Sequence, residues 1–263
     1  MAVQLVPGLS IVPIIKRTPD LLVKAQLGTG FFVGNQASLH LITAKHVFTG
    51  NPIEGPESYS IVFNNGGTTM VSPIQTVIAA AGFDLAVCTL AREHVPGAVP
   101  LDIADANPPL SNDILTYEYS STRIEKTATG THVAFEPYTH KGNVVRIYDS
   151  TFPEALPTPS FLTSFPALQG ASGAPLIDMD REKKRLAVVG MLVANFERHL
   201  IPAQVVTIED GPSYKETTSY YMPFGKALSW SVIRKCLTEL GIPFSPSGDE
   251  PNEQQAATRV TEP

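Results

Sequence analysis

Lys24-Ala25-Gln26-Leu27-Gly28-Thr29-Gly30-Phe31-Phe32-Val33-Gly34-Asn35, followed shortly by Leu39-His40-Leu41-Ile42-Thr43-Ala44-Lys45-His46-Val47, is the stretch on which the fold turns. Apolar residues alternate with small or polar ones, the period of a half-buried strand, and Gly34-Asn35 supplies turn residues between the two runs. The pattern predicts two strands joined by a short loop, with His46 just beyond the second.

The same signal continues outward. Tyr59 to Phe63 and Met70 to Ala81 read as strands around the Asn64-Asn65-Gly66-Gly67 turn, and Gly82-Phe83-Asp84-Leu85-Ala86-Val87-Cys88-Thr89-Leu90 reads as a strand beginning at Asp84. Prolines and polar residues gather between Pro96 and Asp113, notably Asn107-Pro108-Pro109, which marks a crossing between two halves. Strand patterns then recur at Ile114 to Tyr119, Thr131 to Glu136 and Gly142 to Tyr148. A proline-punctuated loop from Phe152 to Pro166 leads into Gly170-Ala171-Ser172-Gly173-Ala174-Pro175-Leu176. Ala174 to Asp178 and Arg185 to Phe196 read as a hairpin whose charged tip, Asp180 to Lys184, is a solvated turn. Leu228, Val232, Ile233, Cys236, Leu237 and Leu240 recur at helical spacing before Gly241 and Pro243, so one amphipathic helix is expected there. The polar stretch from Ser245 to Pro263 reads as a disordered tail.

Composition narrows the class. With 263 residues, 43% of them hydrophobic, the chain can build a real core, and 19 glycines and 23 prolines leave few stretches for long helices. A formal net charge of −6 argues against phosphate-neutralising contact with nucleic acid. No apolar run approaches the ~20 residues of a membrane span. Met1 to Ile15 lacks a basic cluster and is broken by Pro7, Gly8 and Pro13, which fits a signal peptide poorly. Two cysteines, Cys88 and Cys236, are too few for a disulfide framework and read as buried unpaired thiols. A reducing, cytoplasmic location is therefore expected. His, Cys and carboxylates show no metal-ligand spacing, and no cofactor is implied.

Three short motifs carry chemistry. A serine hydroxyl is a weak nucleophile unless a base takes its proton, and the base works well only when a third group fixes its tautomer. Ser172 between glycines, His46 in Thr43-Ala44-Lys45-His46-Val47 and Asp84 in Asp84-Leu85-Ala86-Val87 supply those three groups in order. His40, on a strand with no motif around it, is the nearest rival base. Asp102 and Asp105 read as surface acids, and Ser160 and Ser164, lacking flanking glycines, as loop residues. Gly28 and Gly30 read as positions of close strand approach.

Taken together, Gly28 to Val33, Thr43 to Val47, Asp84 to Val87 and Gly170 to Leu176 resemble the trypsin-like serine proteases of the chymotrypsin fold, nearest in flavour to the HtrA type and short bacterial trypsin-like peptidases. The resemblance covers about residues 11 to 241. It implies an all-β fold of two antiparallel six-stranded β-barrels with a C-terminal helix: residues 1–107 carrying His46 and Asp84, 108–225 carrying Ser172, a helix at 226–243 and a tail at 244–263. It implies a serine endopeptidase acting on a polypeptide substrate, with Ser172 as nucleophile, His46 as base, Asp84 as its orienter, and the Gly170 and Ser172 N–H groups as oxyanion donors. Walls of the specificity pocket are expected from Phe165 to Gln169 and from Leu192 to Asn195, with Pro166, Leu168, Gln169, Leu192, Val193, Ala194 and Asn195 near substrate. Because Pro166 occupies the base position, cleavage after Lys or Arg is not expected, and a small or medium apolar side chain is favoured.

The chain also departs from the family pattern. Ala171 stands where digestive relatives carry an Asp that pairs with a new N-terminal amine, so activity without propeptide removal is expected. Ala174 replaces a second glycine, and Val193 occupies a position where many relatives place a small polar residue against the catalytic acid. Two alternatives stay open: an enzyme restricted to one processing event, and a silent member of the fold that binds extended peptides.

Overall fold

A computed structural model describes residues 8–17, 23–35, 38–48, 59–65, 68–120, 122–127, 130–148, 159–178, 186–199, 204–208, 214–218 and 221–244. The expected solvated tip at Asp180 to Lys184 and the tail from Ser245 onward lie outside these residues.

Six strands form the first barrel: β1 (Ile11–Arg17), β2 (Val23–Gly34), β3 (Leu39–Thr43), β4 (Tyr59–Asn65), β5 (Thr68–Ala79) and β6 (Ala86–Leu90). Their order, β1-β2-β3-β6-β5-β4, closes through antiparallel pairing of β1 with β4. Phe31, Phe32, Leu41, Ile42, Ile61, Phe63 and Val87 are all buried, and because neighbours such as Phe31 and Phe32 point to opposite faces, β2 and β3 are covered on both faces here instead of being half-buried as the alternation suggested. The sequence reading missed β1. Six of its seven residues are buried, so Ile11-Val12-Pro13-Ile14-Ile15 shows an unbroken apolar run with a proline and no alternation.

The remaining strands are β7 (Asp102–Ile103), β8 (Asp113–Glu118), β9 (Arg123–Thr127), β10 (Gly130–Ala134), β11 (Tyr138–Tyr148), β12 (Ser160–Thr163), β13 (Pro175–Asp178), β14 (Ala187–His199), β15 (Gln204–Ile208), β16 (Tyr214–Thr218) and β17 (Tyr221–Ser229). A second antiparallel barrel runs β13-β8-β11-β12-β17-β14 and closes where β13 pairs with β14, with β7 added parallel to β14. The fold is thus the expected pair of six-stranded barrels. The hairpins β9–β10 and β15–β16 lie outside both barrels.

Several local expectations need correction. The strand after Asp84 begins at Ala86, leaving the acid in a turn. Ser160 is no loop residue: it opens β12 inside the segment read as a loop, and it is buried. Its strand is only four residues long and follows a run of prolines, which hid it. β17 carries the second barrel past residue 225 to Ser229, and the helix α1 occupies Trp230–Glu239. Leu228 therefore belongs to β17, although its spacing fits the helical stripe of Val232, Ile233, Cys236 and Leu237. Gly241, at φ +66°, ends the helix as expected: its N–H donates to the Thr238 carbonyl and the Ile242 N–H to that of Leu237, a Schellman closure.

The interior of the second barrel holds Ala167, Ala171 and Ala174 beside Phe161, Phe165, Leu176 and Leu192. These small residues let the segment around Ser172 sit directly on the barrel. Contacts between the barrels also converge there. The Tyr119 hydroxyl donates to the Ile11 carbonyl at 3.2 Å, the Gln26 amide to the Tyr119 carbonyl, and the Thr29 N–H to the Ser172 carbonyl at 2.9 Å.

Candidate active site

Each of the three motif residues sits in a turn at the facing edges of the barrels. His46 lies in a 3₁₀ turn, Lys45–Val47, immediately after β3, and Asp84 ends the turn between β5 and β6. Ser172 lies between β12 and β13, flanked by Gly170 at φ +94° and Gly173 at φ +89°. Only glycine holds such left-handed φ values without strain. At Gly173 there is no room for anything else, because a Cβ would come within 2.2 Å of the Thr29 carbonyl oxygen.

The turns bring the three side chains together. His46 Nδ1 donates to Asp84 Oδ2 at 2.7 Å, and the His46 main-chain N–H donates to Asp84 Oδ1 at 2.9 Å. One carboxylate thus grips both the ring and the backbone of the histidine. With Nδ1 as donor, Nε2 is left as an acceptor, and the Ser172 hydroxyl lies 2.7 Å from it. Burial pushes the Asp84 carboxyl up, but the His46 hydrogen bonds and charge outweigh it and hold the group below its ordinary value. The acid is consequently ionised where the ring needs a negative partner. Lys226, on β17 opposite Ala194, lies within charge range of Asp84; burial lowers its pKa and Asp84 raises it.

Thr29, inside the Gly28 to Val33 motif, carries no sequence signal of a role at the site. It is fully buried and uses every polar atom. Its hydroxyl donates to the Gly170 carbonyl at 2.8 Å and accepts from the Tyr119 N–H at 3.1 Å, while its carbonyl accepts from the Thr43 hydroxyl at 2.7 Å. With its N–H on the Ser172 carbonyl, Thr29 holds the carbonyls of both Gly170 and Ser172. Among the described residues, neither the Gly170 nor the Ser172 N–H donates to a backbone carbonyl.

Pocket candidates flank this centre on two sides. Phe165 to Gln169 lead into Gly170, and Leu192 of β14 is tied to the serine turn by the Gly173 N–H on its carbonyl at 2.8 Å and by its own N–H on the Ala174 carbonyl at 2.9 Å. Leu168, Gln169, Ala194 and Asn195 are exposed, Pro166 is half-buried, and Leu192 and Val193 are buried, Val193 at a bulge of β14. Behind the first wall, His140 stacks on Phe165 with ring centroids 5.6 Å apart and meets buried Glu118 at 3.0 Å. Burial pushes the Glu118 carboxyl up, against the pull of Ser120 and His140. Two residues far apart in sequence and outside any motif gave no signal of this pair.

The rivals stand elsewhere. His40 bonds Ser38 at 2.8 Å, its pKa lowered by burial; Asp105 is exposed, Asp102 opens β7, and Ser164 bonds the Asn143 N–H at 2.9 Å. Among the described residues no cluster of three or more His, Cys, Asp or Glu could hold a metal ion.

A sequence profile described as "Trypsin-like peptidase domain" matches residues 28–191, a span that includes His46, Asp84 and Ser172. The chain is similar in structure to Rv3671c from M. tuberculosis H37Rv, solved as a serine-to-alanine mutant in an inactive form, with a TM-score of 0.52 over 89% of this chain and 87% of that one. At 17% identity that likeness concerns the fold. No curated protein matches the chain.

Proposed function

Since the chain belongs to the trypsin-like peptidase domain family and is a peptidase acting on polypeptides, we propose that it is a serine endopeptidase working through Ser172, His46 and Asp84. The observation that carries this is the double engagement of one imidazole, 2.7 Å from the Asp84 carboxylate on one side and 2.7 Å from the Ser172 hydroxyl on the other.

Ser172 Oγ attacks the scissile carbonyl carbon as His46 Nε2 takes the hydroxyl proton. The carbonyl π electrons move onto oxygen, which faces the Gly170 and Ser172 N–H groups. His46, now an imidazolium steadied by Asp84, returns the proton to the amine as the C–N bond breaks. An acyl-enzyme on Oγ remains. Water, deprotonated by His46, attacks it, and the serine leaves with its proton restored. The roles follow the general triad template; the atoms and distances are those of this chain.

Activity without N-terminal processing also fits. Ala171 is fully buried in the barrel core, and Ile11 is fully buried within β1, paired to Phe31. Apolar packing and Thr29 do the work that an ion pair does in relatives carrying an Asp before the serine. Two buried, unpaired thiols at Cys88 and Cys236 suit a reducing, cytoplasmic setting. The test is hydrolysis of a denatured protein substrate by the purified chain beside its Ser172→Ala variant. Cleavage lost in the variant is expected. Equal cleavage by both would remove Ser172 from the scheme, and tight peptide binding without cleavage by the wild type would favour a silent binder.

A further inference from the structure

We propose that Asn195 is the gate of the specificity crevice, restricting the residue that supplies the scissile carbonyl to small side chains: glycine, alanine or serine. The proposal rests on the serine-peptidase reading and names its substrate class.

A substrate carbonyl set on Ser172, with its oxygen toward the Gly170 and Ser172 N–H groups, directs its own side chain between the two segments nearest the serine. One is Phe165 to Gln169, continuous with Gly170. The other is Leu192 to Asn195, locked to the serine turn through Leu192. Asn195 spans the gap between them. The Ala167 N–H donates to Asn195 Oδ1 at 2.6 Å, and Asn195 Nδ2 donates to the Ala167 carbonyl at 2.8 Å. A carboxamide that satisfies both main-chain groups of one residue imitates a strand pair, and it ties the walls across the path of an entering side chain.

The crevice is also filled behind this bridge. Gly225 lies directly opposite Asn195 on β17. A Cβ there would meet Thr163 Oγ1 at 2.4 Å, the Phe165 carbonyl oxygen at 2.7 Å and Leu192 Cδ2 at 3.1 Å. These neighbours are fixed, because the Phe165 carbonyl accepts from both the Gly225 N–H and the Thr163 hydroxyl at 2.7 Å. A long side chain must therefore break two hydrogen bonds at the mouth and displace a bonded floor. The Ala167 N–H and carbonyl would then lose their partners, since Ala167 is itself buried. A methyl or hydroxymethyl group stops short of the bridge.

The test is cleavage of a peptide library varied only at the residue supplying the scissile carbonyl, by wild type, Asn195→Gly and Asn195→Ala, with thermal melts establishing that the variants fold. The wild type is expected to cut after glycine, alanine or serine at least about 10-fold faster than after leucine, methionine or phenylalanine. Both variants are expected to shift that ratio toward the larger residues by about 10- to 100-fold, the range available to apolar pocket discrimination. Ser172-dependent cleavage after large residues by the wild type, or an unaltered profile in both folded variants, overturns the gate alone. A wild type that cleaves no library member overturns the peptidase reading and the gate together.

Discussion

Replacing Thr29 by Val isolates what its hydroxyl does, because the two side chains are nearly isosteric and the main-chain bond from the Thr29 N–H to the Ser172 carbonyl survives. Two bonds are lost: the one to the Gly170 carbonyl at 2.8 Å and the one from the Tyr119 N–H at 3.1 Å. Each removes about 1 kcal/mol of net stability, and a buried group left unpaired adds to that, so a loss of about 2–4 kcal/mol is expected. For a domain of this size the corresponding fall in Tm is about 5–15 °C. The sharper consequence is kinetic. With its carbonyl released, the Gly170–Ala171 peptide keeps only the Ala171 N–H bond to the Leu168 carbonyl, so Gly170 can turn about its Cα and carry its own N–H, on the preceding peptide, off the oxyanion; loss of one such donor costs about 10²–10³ in kcat. KM should hardly move, since the donor acts on charge that develops only in the transition state. Thr29→Ser, which keeps the hydroxyl, should recover most of kcat. Steady-state peptide hydrolysis beside thermal unfolding separates the two effects. A Thr29→Val enzyme with a lowered Tm but kcat within about threefold of wild type would refute the positioning role.

Other perturbations probe the same centre. In Gly28→Ala the new Cβ would lie 2.6 Å from Val47 Cγ2 and 2.8 Å from the Ser172 carbonyl oxygen, so the serine and histidine turns must part; a displacement approaching 1 Å costs about 10²-fold in kcat/KM, and a rate within twofold would show that the turns yield harmlessly. Asp84→Asn keeps the shape of the carboxylate but not its acceptor pair, and the loss carried over from other triad enzymes is about 10⁴ in kcat. Folding lowers the Asp84 pKa from 3.8, so between the two values the unfolded chain binds more protons; the stabilisation is complete above pH about 4 and fades as pH falls through the folded value. Urea melts from pH 6 to 2 should show wild type losing its advantage over Asp84→Asn only at the acid end. Burial raises the pKa of both thiols, Cys88 far beyond the alkaline range, and Cys236 with help from Glu239 against Lys235. Iodoacetamide at pH 8 should accordingly modify neither in the native protein and both in guanidinium, as intact mass would register.

The motifs made the three catalytic candidates legible because turns with special residues are local. Gly170, Ser172 and Gly173 need particular backbone shapes, and Asp84 and His46 each introduce or follow a buried strand. Strands were likewise readable where one face is wet, as in β8, whose burial alternates along Asp113–Glu118. Where both faces are buried, as in β1, alternation vanishes and Pro13 reads as a break. β17 was hidden differently: Pro223 and Gly225 lie in its middle, and Leu228 happens to fall in phase with the helix that follows. Thr29 and Asn195 mark the deeper limit. Their side chains act on Gly170 and Ala167, 141 and 28 residues away, and only closure of the barrels creates those contacts. A residue pattern reports the period of a strand but not the partner of a hydroxyl.

The most direct test of the central claim, that one imidazole activates Ser172, is reaction with a fluorophosphonate followed by mapping of the adduct. The account predicts a single adduct on Ser172 in the folded wild type and its loss in His46→Ala. An adduct on any other serine, or undiminished labelling of Ser172 without His46, would contradict it.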